Sequence, residues 1–286
     1  MTTRQEQHWL RTYAAESYTG SGAIVDLGCF LGATTISLAE GLALNRKTKR
    51  KQIHAYDRFN WGEAYETWAK GREVEGLFAI GSSFLPEFLR RTREWRDYIV
   101  VHEGDLSRAR WEGEPIEFLF IDAMKTRETA STITRTFFPH LIPATGYVAQ
   151  QDFAHAYTPW IHVINYRLRD YFSLSADVPS SGTTVFRCEK QISASEANMD
   201  VSFARCTIGE IEAVFDYSIS LVSEDKKANA IAAKAMAYVH RSEFARAHEV
   251  IMQSRYGPAS LADQFNTVKS LTERNLAASE LSSGRR

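Results

Sequence analysis

The stretch Asp26-Leu27-Gly28-Cys29-Phe30-Leu31-Gly32 constrains this chain more than any other. It ends the run Ala23-Ile24-Val25-Asp26-Leu27, which reads as a buried strand, and leads into residues 33–44, where Ile36, Leu38, Ala39 and Leu42 supply the apolar content of a helix. A buried strand stopped by glycine and followed at once by a helix is the opening of a βα unit. Gly28 has no Cβ, so the chain can turn sharply there and a ligand can approach its backbone. The helix N-terminus beyond Gly32 offers unpaired N–H groups to a polar ligand.

The pattern repeats along the chain. Residues 52–57, 98–102, 116–121 and 146–150 read as further strands, with helices expected over 84–95, 126–138 and 158–169. Residues 172–175 and 183–187 fit a final antiparallel pair. Such alternation predicts a Rossmann-like α/β fold, a doubly wound and mostly parallel sheet that binds ligands beyond the carboxyl ends of its strands. After Glu189 the chain turns Ala-rich, and helices are expected over 200–223, 224–256 and 261–278. The division expected is a sheet domain over 1–190 and a C-terminal helical region over 191–286, with a homodimer through those helices. Ala233, Ala237, Tyr238, Phe244 and Ala247 match one tetratricopeptide unit, but one unit alone buries no solenoid core. The end of the chain, 282–286, is expected to fray.

Composition narrows the partners. A formal net charge of −1 gives no long-range attraction to nucleic acid or anionic lipid. The basic run Arg46-Lys47-Thr48-Lys49-Arg50-Lys51 joins a helix to the second strand, away from the expected site, and reads as a solvated loop. Three cysteines without metal-ligand spacing, Cys29, Cys188 and Cys206, read as free thiols of a reducing compartment. The polar N-terminus has no signal-peptide pattern and no apolar run is long enough to span a bilayer, so the expectation is a cytoplasmic protein that binds neither membrane nor nucleic acid.

Three ligand classes compete for the glycine turn. A dinucleotide fingerprint needs Gly-x-Gly-x-x-Gly, whereas only Gly28 and Gly32 are present; a P-loop needs a Gly-Lys-Ser/Thr ending that is absent. The form Asp26-x-Gly28-x-x-x-Gly32 resembles motif I of class I S-adenosylmethionine-dependent methyltransferases. That resemblance implies S-adenosylmethionine as cofactor, Asp26 accepting from its ammonium group, and Gly28, Cys29, Phe30, Gly32, Thr34 and Thr35 around it. Asp57 ends the second strand, where a carboxylate accepts both ribose hydroxyls of an adenosine; its competing reading is a turn or capping residue. Arg58 is expected along the adenosine. Gly104, Asp105 and Leu106 follow the third strand, where the family holds the adenine; Asp105 as a plain turn residue stays open.

Strands four and five end in Asp122-Ala123-Met124-Lys125 and Gln150-Gln151-Asp152-Phe153-Ala154-His155. Two carboxylates meeting in the crevice have the chemistry to hold Mg²⁺, which would draw a substrate hydroxyl towards its alkoxide. Asp122-x-x-Lys125 resembles the metal-dependent O-methyltransferases of the catechol and caffeoyl-CoA type. There the Asp binds the metal, the Lys is base or orienting group, and Asp152 matches the second metal-binding Asp; the competing reading of Asp122 is a motif carboxylate that hydrogen-bonds the cofactor. Phe153 stands where that family has Asn as third ligand, and a phenyl ring coordinates nothing. His155 is left as ligand or general base. The stretch from Gln150 to His155, followed by Pro159-Trp160, is also similar to sugar- and natural-product-directed O-methyltransferases. The function implied is methylation of a small-molecule or sugar hydroxyl, assisted by Mg²⁺. The competing class is a non-catalytic nucleoside-binding module whose helical region recruits a partner. Phe59, Trp61, Tyr65 and Trp68, after the ribose edge, read either as a cover over the ligands or as core around a short helix.

Overall fold

The computed structural model describes residues 2–48, 51–255 and 262–283. Lys49 and Arg50 of the basic run, Leu261, and 284–286 of the expected frayed end lie outside the described residues.

Seven strands form one sheet: β1 (Ala23–Leu27), β2 (Ile53–Asp57), β3 (Ile99–Glu103), β4 (Ile116–Ile121), β5 (Tyr147–Gln150), β6 (Phe172–Asp177) and β7 (Thr184–Cys188). Their order is β3-β2-β1-β4-β5-β7-β6, and β7 alone runs opposite to the other six. Every residue of β1 and β4 is buried, as strands covered on both faces must be, while β3 and β6 at the edges are partly exposed. The Rossmann-like fold read from the strand–helix alternation is therefore correct.

The helices are α1 (Arg4–Thr12), α2 (Ala33–Leu44), α3 (Glu63–Ala69), α4 (Leu85–Arg91), α5 (Arg127–Phe137), α6 (Trp160–Arg167), α7 (Ala194–Ala197), α8 (Ile208–Leu221), α9 (Glu224–Val239), α10 (Phe244–Met252) and α11 (Ala262–Ser283). On one face, Leu10 of α1 and Leu38 and Leu42 of α2 pack with Ile24, Phe118 and Phe120. On the other, α5 turns Ala130, Ile133 and Phe137 inward at helical spacing, and with Ile161 and Ile164 of α6 they join Val25, Leu119 and Ile121. Each of the buried Leu, Ile, Val and Phe side chains among them contributes roughly 1.5–3 kcal/mol on burial. His162 of α6 is wholly buried between Phe153 and Phe215, with ring centroids 4.9 Å from each, and neither imidazole nitrogen has a hydrogen-bond partner.

Register decides where the loops meet. Leu27 lies opposite Tyr56 and Ile121, Ile121 opposite Gln150, and Asp57 opposite Glu103. The residues that follow, Gly28, Arg58, Gly104, Asp122 and Gln151, therefore share one edge of the sheet. β1 and β4, on either side of the point where strand order reverses, put their loops at its centre. Arg46 and Lys47 follow α2 and precede β2, at the opposite edge.

Residues after 190 continue the same molecule's core. Ile192, Ala197, Val201 and Val222 belong to the apolar cluster around β4 and α5, and Val163 of α6 packs with Phe215, Ala233 and Tyr238. The helix expected over 224–256 is broken into α9 and α10, because Ser242 takes a left-handed conformation, φ 61°, and turns the chain back.

Candidate functional site

The turn after β1 is tight for an identifiable reason. Gly28 has φ 85°, and a Cβ there would sit 2.6 Å from the backbone oxygen of Asp122. Gly32 caps α2 in the left-handed region, φ 91°, with no side-chain hydrogen bond to the helix's first turn. The first N–H groups of α2 are thus left without a side-chain cap, as a ligand-binding helix start requires. Asp26 is fully buried. Its Oδ2 accepts from Thr34 Oγ1 at 2.7 Å and Thr35 Oγ1 at 2.6 Å, while Oδ1 has no partner. Burial raises the Asp26 pKa to about 6, with both threonines pulling it back. The Thr34 and Thr35 hydroxyls face inward and tie α2 to β1, which leaves only their backbone at the turn. Cys29 is likewise turned into an apolar cluster, with its thiol pushed up by burial.

Asp57 braces this turn. Its Oδ2 accepts from Phe30 N–H and its Oδ1 from Phe59 N–H, both at 2.9 Å. Burial raises its pKa, and the backbone donors oppose the shift. Phe30 stacks on Tyr65 at 5.1 Å and meets Phe84 edge-on at 5.2 Å, in a cluster with Phe59, Trp61 and Phe88. The aromatics after β2 are chiefly a satellite core; Tyr65 and Trp68 keep partial exposure. Arg58 is exposed, and its charge helps lower the pKa of Asp105, which is set first by the Ser107 N–H that Asp105 accepts at 2.9 Å. Asp105 caps a single turn, Leu106–Arg108, and Leu106 packs into the core with Tyr56 and Trp111. Gly104 N–H donates to Asp57 O, which joins the second and third strand ends.

The ends of β4 and β5 meet in an ion cluster. Lys125 Nζ lies 2.5 Å from Asp122 Oδ1 and 2.6 Å from Asp152 Oδ2. The Gln151 amide, oriented to satisfy its neighbours, donates to Asp152 Oδ1 at 2.9 Å and Asp122 Oδ1 at 3.0 Å. The Asp152 side chain is 4% exposed, that of Asp122 21% and that of Lys125 53%. Burial opposes the charge on Lys125, but Asp122 and Asp152 outweigh it and hold the ammonium well above the ordinary lysine range. Burial raises the Asp122 pKa, against the pull of Lys125. His155 Nδ1 is buried without a partner, and burial lowers the imidazole pKa although Asp152 opposes this.

The expected Mg²⁺ does not fit these residues. The space between the two carboxylates is taken by the ammonium, and Phe153, at the third-ligand position, is fully buried against Phe186 and His162. Among the described residues, no group of three or more His, Cys, Asp and Glu side chains is placed to hold a metal ion.

Elements distant in sequence hold this cluster, and they are what sequence reading missed. Glu6 of α1 is 1% exposed; its Oε1 accepts from Thr183 Oγ1 and its Oε2 from Thr3 N–H. Burial lifts its pKa to about 7, Thr183 opposes, and the charge of Asp122 adds to the rise. The Thr3-x-x-Glu6 capping box was the signal available for α1. The loop bearing Asp152 and His155 is pinned by Ala154 N–H to Gly182 O at 3.0 Å, Asn229 Nδ2 to Ala154 O at 3.0 Å, and Ala156 N–H to Gln264 Oε1 at 2.8 Å. Lys226, wholly buried, donates to Asp177 and to the carbonyls of Val178 and Thr183. Trp160 Nε1 donates to Met124 O at 2.7 Å, which ties the Lys125 loop to α6.

Residues 25–153 match the family described as a methyltransferase domain. Over those residues the chain is similar to class I S-adenosylmethionine-dependent methyltransferases. Members of this class take their methyl group from S-adenosylmethionine. This stretch has observed features that suit that donor: an unpartnered buried Asp26 Oδ1, uncapped N–H groups at α2, and the Asp57 carboxylate at the end of β2. Among solved structures it is similar to that of the O-methyltransferase NovP, at 15% identity over 65% of this chain and 80% of that one, TM-score 0.49. It is also similar to CalS11, a calicheamicin methyltransferase, at 14% identity over 65% and 80%, TM-score 0.48. No curated protein sequence matches the chain. Among the described residues, no helix is long and apolar enough to cross a membrane.

Proposed function

We propose that the chain methylates a hydroxyl oxygen of a small molecule or sugar. The observation that carries this reading is the Asp122–Lys125–Asp152 cluster with His155 beside it, on the strand ends next to the cofactor turn. A hydroxyl is a weak nucleophile until its proton is removed, so its methylation calls for a cation to orient the oxygen and a base to take the proton. Lys125 orients the hydroxyl and stabilises the charge developing on it. It is not the base, because two carboxylates hold its proton. His155 is the base: burial keeps it neutral at pH 7, and its Nδ1 has no competing partner. Asp122 and Asp152 fix the ammonium.

On the donor side, Asp57 holds the ribose hydroxyls and Asp26 Oδ1 accepts from the amino-acid end. The backbone of Gly28, Phe30 and Gly32 lines the turn, and Arg58, Gly104, Asp105 and Leu106 flank the adenosine. Bound S-adenosylmethionine supplies an electrophilic methyl group on its sulfonium. Holding the two reactants in line is the main contribution of the protein.

The test is transfer of radiolabelled methyl to separate panels of catechols, nucleotide sugars, glycosides, amines, protein and nucleic acid. Label is expected in a hydroxyl acceptor and to be lost in Asp152→Ala with S-adenosylhomocysteine affinity retained. Transfer to nitrogen acceptors or macromolecules alone refutes the proposal.

A further inference from the structure

We propose that Lys125 is a built-in cation: its ammonium holds Asp122 and Asp152 together in the place where a divalent ion would otherwise bridge them, and the site works without metal. The proposal rests on the O-methyl transfer reading for the function of the cluster, but its geometry stands independently.

Two carboxylates brought to adjacent strand ends repel unless a positive charge lies between them. Here Nζ of Lys125 is within 2.6 Å of an oxygen on each. Gln151 adds a neutral donor to the same pair, reaching Asp152 Oδ1 and Asp122 Oδ1. A divalent ion of the magnesium type needs near-octahedral oxygen ligands at about 2.0–2.1 Å, so it and the ammonium exclude each other. The third position is closed independently. Phe153 is fully buried among Phe186 and His162, and its replacement of an oxygen ligand is a matter of sequence, not of side-chain position. The backbone cannot offer Phe153 another orientation cheaply, since Ala154 N–H is fixed to Gly182 O next to it. A tethered ammonium differs from a bound ion in one respect: it is present at every metal concentration.

The test uses Mn²⁺ as probe, followed by its electron paramagnetic resonance signal, on the full-length chain with S-adenosylhomocysteine present. Wild type is expected to leave Mn²⁺ free. Lys125→Met removes the charge and keeps the carboxylates, so it is expected to bind Mn²⁺ at least roughly tenfold more tightly than wild type. Adding Asp152→Asn should abolish that gain. Lys125→Gln is a second neutral variant with the same expectation, should the methionine variant fail to fold. Wild-type binding of Mn²⁺ that Asp122→Asn removes overturns the proposal, because the lysine then yields its place to metal. A neutral folded variant that gains no Mn²⁺ also overturns it, because the position is then not a cation position. Calorimetry with S-adenosylhomocysteine separates the two readings: no binding in wild type, with or without a chelator, counts against the methyltransferase function and leaves the Mn²⁺ result to decide the role of Lys125.

Discussion

His162 makes the pH dependence of stability predictable. The imidazole is wholly buried, neither nitrogen has a partner, and burial pushes its pKa down to about 3 from an ordinary 6.5. In the unfolded chain it protonates as pH falls through 6.5; in the folded chain it stays neutral until about pH 3. The unfolded state therefore binds more protons across that window, so stability is lost as pH falls. At about pH 5 the loss is RT ln(1 + 10^1.5), about 2 kcal/mol, against under 0.1 kcal/mol at about pH 7.5. His162→Leu removes the titration and fills a similar volume. Any packing change is common to both pH values and cancels in the difference. Urea unfolding of both proteins at about pH 7.5 and pH 5 should show the wild type losing about 2 kcal/mol more than the variant on acidification. Parallel losses, within about 0.5 kcal/mol, would mean the imidazole finds a proton acceptor or water in the native state, and the reasoning fails.

Three further perturbations probe the site and its supports. Glu6 titrates with the opposite sign: its pKa is raised from 4.5 to about 7, so stability is lost as pH rises across that window. Glu6→Gln should flatten the decline by on the order of 3 kcal/mol in thermal or urea unfolding, and an unchanged slope refutes this. Asp57→Ala should weaken S-adenosylhomocysteine binding by at least about tenfold in calorimetry, and unchanged affinity overturns the ribose assignment. Gln264→Leu removes the acceptor for Ala156 N–H; amide exchange at Ala156 should accelerate by more than about tenfold while exchange in β1 and β4 stays slow. Equal protection in both proteins would show that α11 does not restrain the loop.

Local pattern carried the glycine turn and the strand ends, because a buried strand, a glycine and a helix start are neighbours in sequence. Sheet register then placed Asp122 and Asp152 correctly on one edge. Side-chain direction was not legible. Thr34 and Thr35 start a helix and looked like ligand contacts, yet the buried Asp26, in β1 across the glycine turn, takes their hydroxyls. Lys125 between two carboxylates depends on a pair 27 residues apart, which no motif spacing encodes. The end of α4 was read too far because Thr92, whose hydroxyl bonds back to Phe88 O, turns the chain into a 3-10 segment without any Gly or Pro to mark it.

The bond from Ala156 to Gln264 spans 108 residues, and that from Thr183 to Glu6 spans 177. Both bear on the timing of assembly. During synthesis the sheet can form once β7 has emerged, but the loop carrying Asp152 and His155 has no final support until α11 follows, some 75 residues later by the spacing of Cys188 and Ala262. Contacts of such separation form late, after local ones have closed most of the chain. A nascent chain halted before α11 would thus lack the Gln264 acceptor that holds Ala156 N–H, and the loop bearing Asp152 and His155 would keep only its bonds to Gly182 and Asn229.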